Sequence, residues 1–484
     1  MRWFTKLKTP ATADPLDHPL FYWTARDHFT VRHLLDGGIL NLGRTGSAKT
    51  SSSMKQLGRA VVGYRNSGGL ICAAKPMEDL ALWRSIFAEQ GRSDDLLVFS
   101  PEANLRCNFL DCIRKQGGDS RDITSFLMTI GETLRSVDKH SGSANSEFFR
   151  MQEEVMIQFA VDAVRLARGR VTAPDLQKFI TDAAQTPAQI NDPQWRKGFH
   201  VDCLRAAHAA AKSELEEADF PFLMDYWLGL YPKMDGRMRS GIETGVLGTL
   251  HVFNSGVVRK LVSSETNVSP EDMEQRRFVF SDTPAAKMGD SGKLIGAGWK
   301  LLTQRHVLRK KAPAGAPINV IWCDEAQQLV NSFDSDYLAQ CRSHLGCMVC
   351  ISQSLHSFYA AMPGETGKHK AQALLSNFGH RIFHAAGDIE TAEWPSKLIG
   401  RKLETFISGS MQPCRDIFDL AMGFTDFTGS FSMHYEPVLQ PHVFINGLRT
   451  GGPGNRFIAD AIVIRSGEPF STGENWLRVA FSQR

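Results

Sequence analysis

The sequence predicts an α/β fold built on a mostly parallel sheet, with an all-helical domain inserted into the chain. Three observations predict it. Strand-sized apolar runs alternate with helical runs near the start, at Gly38–Leu42, Gly69–Ala74 and Leu96–Ser100. Between Asp111 and Val262 only helical periodicity is found. Strand-sized runs then return at Arg277–Ser281, Ile318–Cys323, Gly346–Ser352 and His380–His384. Strands that alternate with helices form parallel sheets covered on both faces.

The elements follow in chain order. In an N-terminal segment, 1–37, Met1 to Lys8 lead into Thr, Pro, Ala and Asp rather than an apolar run, which excludes a signal peptide and offers no anchor. The first part of the core, 38–110, reads as strand, Gly-rich loop, helix, strand, a helix over Glu78–Gln90, and a strand ending at Pro101. The insertion, 111–262, carries a stripe of Phe148, Met151, Val155, Phe159, Ala163 and Leu166 behind the cap candidate Asn145, so that face is expected to be buried. The second part of the core occupies 263–484 and ends in closing β structure at Ala459–Arg465 and Trp476–Phe481, separated by Gly467 and Gly473. No internal repeat is found.

Composition narrows the class. A chain of 484 residues with 42% hydrophobic and 22% charged residues exceeds one ordinary core and is not a disordered or fibrous sequence. A net charge of +3 leaves any basic surface local. Nine scattered cysteines fit reduced thiols in a cytoplasmic compartment. The longest apolar runs fall far below the roughly 18 residues of a membrane span.

A loop that holds a triphosphate needs small residues so that backbone N–H groups converge, a lysine for the β and γ phosphates, and a hydroxyl for Mg²⁺. Gly43-Arg44-Thr45-Gly46-Ser47-Ala48-Lys49-Thr50 supplies all three, with Ser51 following. A helix starting at Lys49 and Thr50 would turn its positive dipole end toward the phosphates. Ala48 stands where the usual pattern has its second glycine, and its Cβ is expected to crowd the backbone or penalise a positive φ. The alternative, an ordinary Gly-rich turn, lacks the strand-loop-helix context.

Ile318 to Cys323 form an apolar strand that delivers Asp324 and Glu325 to its C-terminal end, where ligands bind in open α/β sheets. Asp324 is expected to hold Mg²⁺ and Glu325 to deprotonate the attacking water. Gly346–Ser352 ends at Gln353, a sensor candidate for the γ-phosphate. Arg342 is a candidate finger acting across a subunit boundary, against the plainer reading of a solvated helix-end arginine. Cys341, His344, Cys347 and Cys350 have a spacing that suggests zinc, but Cys347 and Cys350 lie in one strand at positions of opposite face, which favours core packing. The residues therefore read as a RecA-like P-loop ATPase core using ATP and Mg²⁺.

Gly43 to Thr50, Asp324-Glu325-Ala326-Gln327, Arg342 and Ile351-Ser352-Gln353-Ser354 together resemble the coupling-protein ATPases of type IV secretion and conjugation. These belong with the FtsK and HerA ring translocases. Lys75-Pro76, Phe99-Ser100-Pro101 with Asn108-Phe109-Leu110, and Asn377 to Gly400 add to the likeness. It covers the motor half, and it meets the helical unit in position and type only. The resemblance implies a homohexameric ring, ATP hydrolysis at subunit interfaces, and DNA, single- or double-stranded, or nucleoprotein moved through the pore. It also implies a membrane channel, a relaxase or another protein as partner. Ala48 departs from the family, as does the lack of N-terminal transmembrane helices, so a soluble cytoplasmic form is expected, peripheral to the inner membrane through a partner.

Two functions follow. The first is a DNA-translocating ATPase, with Arg305, His306, Arg309, Lys310 and Lys311, or Lys368, His369 and Lys370, as candidate phosphate contacts that also read as solvated surface. The alternative is a nucleotide-gated adaptor that recruits protein substrates to a secretion or defence complex without threading DNA. A third, a degenerate loop that binds without turnover, is opposed by Glu325.

Overall fold

In the computed structural model of the chain, residues 14–75, 77–135, 144–313, 315–362, 366–413 and 425–484 are described. Met1 to Lys8 and Pro76 lie outside them, as does the Asn145 side chain. The fold is α/β. It divides into two compact units, one running up to Asn41 with Ser53–Ser352 and His356–His380, the other Leu42–Ser52, Gln353–Leu355 and Arg381–Arg484.

In the first unit a short antiparallel pair, β1 (Pro19–Tyr22) and β2 (His28–Thr30), precedes the sheet. The sheet strands are β3 (Ile39–Leu42), β4 (Ser67–Cys72), β5 (Leu96–Phe99), β6 (Phe278–Ser281), β7 (Ile318–Cys323) and β8 (Gly346–Ser352), in the order β3-β8-β7-β4-β6-β5. The pairs β4/β6, β4/β7, β5/β6 and β7/β8 are parallel. Every residue of β4, β6, β7 and β8 is buried, because parallel strands need helical crossovers that cover both faces. The crossovers include Lys55–Gly63, Glu78–Glu89 and Asp290–Arg309. In the last, Lys300 is buried and bonds Asp334 at 2.6 and 2.7 Å, with Gln304 and the Asn331 N–H completing that carboxylate's partners.

From Phe109–Lys115 to Gly256–Val262 every described element is helical. The helix Ala144–Arg168 corrects one expectation. Phe148, Met151 and Val155 are exposed, Phe159 and Leu166 are half-buried and Ala163 is buried, whereas Met156, Ile157, Ala160, Val161 and Val164 are all buried. The helix carries two apolar stripes, and periodicity alone does not say which one meets its neighbours.

In the second unit β9 (His380–Phe383), β12 (Ile458–Arg465) and β13 (Trp476–Ser482) lie in the order β13-β12-β9, with β12 and β13 antiparallel. A separate two-stranded sheet, β10 (Arg401–Pro413) and β11 (Thr425–Pro437), was not anticipated from the sequence.

Candidate functional site

The Gly-rich loop leaves β3 and enters one π-helical turn, Thr50–Met54, which continues as the α-helix Lys55–Gly63. The expected helix start at Lys49 is therefore modified into a wider turn, a form that recurs at functional sites. A Cβ on Gly43 would lie 2.7 Å from both His384 Cβ and Ser47 Oγ, so only glycine fits. Gly46 has φ +77° and Ala48 φ +66°. Ala48 thus occupies the left-handed region that its Cβ makes costly, by about 1–2 kcal/mol.

The loop is tied down by its own backbone. Ser47 N donates to Arg44 O at 3.1 Å, and Arg44 N to Ala385 O at 2.8 Å. Ser52 Oγ donates to Ala48 O at 2.7 Å. Lys49 Nζ folds over the loop, donating to Gly43 O and, at 3.3 Å, to Arg44 O. Thr45 Oγ1 donates to Gln353 Oε1 at 3.1 Å, so the sensor candidate touches the loop. Ser51 Oγ accepts from Gln483 Nε2 at 2.7 Å. The buried Ser47 Oγ has no hydrogen-bond partner among the described residues. His384 beneath the loop is buried, and burial with the Lys49 charge holds its imidazole down at about 3. It is therefore neutral, and Lys49 is the cation of this pair.

In the first unit the chain turns sharply after β7. Glu325 adopts φ 45° and ψ 49°, a left-handed conformation rare outside glycine. Its N–H donates to Asp324 Oδ1 at 2.9 Å. Gln327 Nε2 donates to Glu325 Oε2 at 2.6 Å, and Ser352 Oγ at the end of β8 donates to Gln327 Oε1 at 2.7 Å. Asp324 lines a small cleft with Cys72, Ser281, Thr283, Lys293 and Gln328. Burial, then the neighbouring Asp79 carboxylate, pushes Asp324 up to about 6. Asp79 is buried, accepts from the Ala74 and Lys75 N–H groups at 2.9 and 2.8 Å, and is itself raised by burial. Asp79 and His384 were given no role in the sequence, where neither stands in a recognisable spacing, and Gln327 entered only as the end of the Asp324-Glu325-Ala326-Gln327 stretch.

Arg342 is exposed and pairs with Asp36 at 2.9 Å. Four residues of the first basic cluster are engaged internally, and Lys311 is exposed. Arg305 bonds Asp122 O and Ser125 Oγ at 2.6 and 2.8 Å, Arg309 pairs with Asp122, and His306 and Lys310 bond Glu274. Lys368 Nζ lies 5.0 Å from the Tyr359 ring centre. Cys341, Cys347 and Cys350 are buried, and His344 Nδ1 lies 3.0 Å from Lys310 O.

Residues 319–413 match the family model described as the TraM recognition site of TraD and TraG. No curated protein matches the chain significantly in sequence. Solved structures match it in fold. The unbound bacterial conjugative coupling protein TrwBdeltaN70 superposes with a TM-score of 0.59 at 13% identity, covering 96% of this chain and 89% of that one. TrwB in complex with ADP and Mg²⁺ gives 0.58 at 14% identity, covering 94% and 87%. TrwB with the non-hydrolysable ATP analogue ADPNP gives 0.56 at 14%, covering 93% and 87%. The chain is thus TrwB-like in fold and carries a TraG/TraD-type segment at residues 319–413.

Proposed function

We propose that the chain is a Mg²⁺-dependent ATPase of the conjugative coupling type, a cytoplasmic homohexameric ring that moves DNA or nucleoprotein. The observation that carries this reading is the loop at Gly43–Thr50. Its close approach at Gly43, its positive φ at Gly46 and Ala48, and the orphaned Ser47 hydroxyl suit a ligand that accepts many hydrogen bonds. Similar folds have been solved with ADP and Mg²⁺ and with an ATP analogue, which supports nucleotide as that ligand.

In this reading Lys49 would turn from the loop carbonyls to phosphate oxygens, and Thr50 and Asp324 are the residues that would hold Mg²⁺. Glu325 is the general base, positioned by Gln327, and Gln353 senses the γ-phosphate through Thr45. Arg342 acts in trans. Its exposed pair with Asp36 is worth about 0–1 kcal/mol, so releasing it toward a neighbouring subunit costs little. No helix among the described residues is long and apolar enough to cross a membrane. The match to a protein-recognition segment favours a protein partner alongside DNA.

The test separates binding from turnover. Glu325→Gln should keep ATP affinity and lose hydrolysis by about 10²-fold or more, as removal of a general base does. Lys49→Ala should lose both. A Glu325→Gln enzyme as active as the unmodified chain would remove the base assignment.

A further inference from the structure

We infer that one face of the β10–β11 hairpin is a self-association surface, covered in solution by the same face of a second copy of this chain. Leu403 stands opposite Tyr435, Thr405 opposite Met433, and Ile407 opposite Phe431. Because side chains alternate across a strand, these six share one face. The five apolar members are 52–81% exposed. The opposite face is largely polar, with Glu404 facing His434 and the Ser408 and Ser430 hydroxyls 2.7 Å apart.

Such a hairpin asks for a cover. It is a two-stranded sheet with no third strand among the described residues, and an isolated two-stranded hairpin is at best marginally stable in water. At roughly 200 Å² per large side chain, the five residues present roughly 650 Å², at the upper end of what a monomer leaves open. Two such faces packed together bury roughly 1,300 Å², within the range of a specific interface. Charge points the same way. Arg401, opposite Pro437 at the edge of the apolar face, is its one charged residue among the described side chains, and over the hairpin Arg401 and Lys402 are balanced by Glu404 and Glu436, with Lys402 and Glu404 2.8 Å apart. A cationic excess that would draw an anionic lipid surface is missing from the described side chains. Face-to-face packing is isologous and closes at two copies, so it is a different contact from the head-to-tail contact of a ring.

The test is sedimentation of the full chain without nucleotide or DNA, over a range of concentrations. Wild type should pass reversibly from one copy to two. The double variant Ile407→Thr with Phe431→Thr keeps strand-forming side chains and should associate at least tenfold more weakly at an unchanged melting temperature. Ser408→Thr on the other face should associate as wild type. If the double variant melts early, Leu403→Thr with Met433→Gln replaces it under the same expectation. A chain that stays monomeric throughout, or assemblies that the apolar-face variants leave unchanged, overturns the inference. Flotation of monomeric wild type on phosphatidylcholine vesicles, lost in the variant, overturns it in favour of lipid.

Discussion

Replacing Asp324 by Asn should make the protein more stable while abolishing the proposed Mg²⁺-dependent activity. Asn keeps the acceptor for the Glu325 N–H, so the turn after β7 is retained. What is lost is a carboxylate whose ionisation is opposed by burial and by Asp79 and is pushed up to about 6 in the folded chain. The sign follows from linkage. A carboxyl raised by folding takes part of its proton at low pH in the native state only, so its contribution to stability falls as pH rises from about 4 through about 6. Relative to an unperturbed carboxyl, at 1.36 kcal/mol per tenfold, the cost is about 0.5 kcal/mol at pH 4, about 1.5 at pH 5 and about 3 at pH 8. Urea unfolding of the wild type and Asp324→Asn, in EDTA and without nucleotide, reads this difference directly. The gap should open from pH 4 to pH 8, and Mg²⁺ with ATP should then stabilise only the wild type. A gap that is constant with pH, or one of opposite sign at pH 8, would refute the reasoning.

Ala48 and His200 supply two further expectations. Ala48→Gly should leave ATP binding intact and raise stability by under about 1 kcal/mol, since relief of the left-handed cost of about 1–2 kcal/mol is partly offset by a freer unfolded chain. Ala48→Val, β-branched at the same φ, should lower both nucleotide affinity and melting temperature, and equal behaviour of the two variants would contradict the strain. His200 is buried against Phe179, with Nδ1 2.8 Å from Phe179 O, and burial holds it down at about 4. The unfolded chain binds the extra proton between about pH 4 and 6.5, so stability should fall by about 3 kcal/mol as pH drops through that window. His200→Gln should flatten the profile, whatever its offset, in pH-dependent urea melts.

The parts legible in the sequence are those where one force dominates. β7 and β8 have the residue bounds expected of them, because a continuous apolar run ended by a charge or a polar amide admits few other folds. The Gly-rich loop was legible for the same reason, and Ala48 has the positive φ that the motif demands of it. The β10–β11 hairpin was passed over. Its strands mix Ser, Gly and Thr with isolated apolar residues, and the face they build is exposed on this chain, so no core pattern announces it. The helix Ala144–Arg168 was given a stripe whose first half is exposed and of which Ala163 is buried, since two apolar stripes run along it and only packing selects between them. Asp79 and His384 escaped because their place beside Asp324 and beneath Lys49 comes from strand order and not from spacing along the chain.

The central claim is a motor driven by ATP along DNA. The measurement that tests it most directly is the ATPase rate against DNA length and salt concentration, run beside Glu325→Gln as the inactive control. Backbone contacts to phosphate release counterions, so a translocating motor should hydrolyse ATP faster on longer DNA and lose that stimulation steeply as salt rises. Turnover that is flat in DNA length and indifferent to salt, yet abolished by Glu325→Gln, would contradict translocation and leave an ATPase that serves a protein partner.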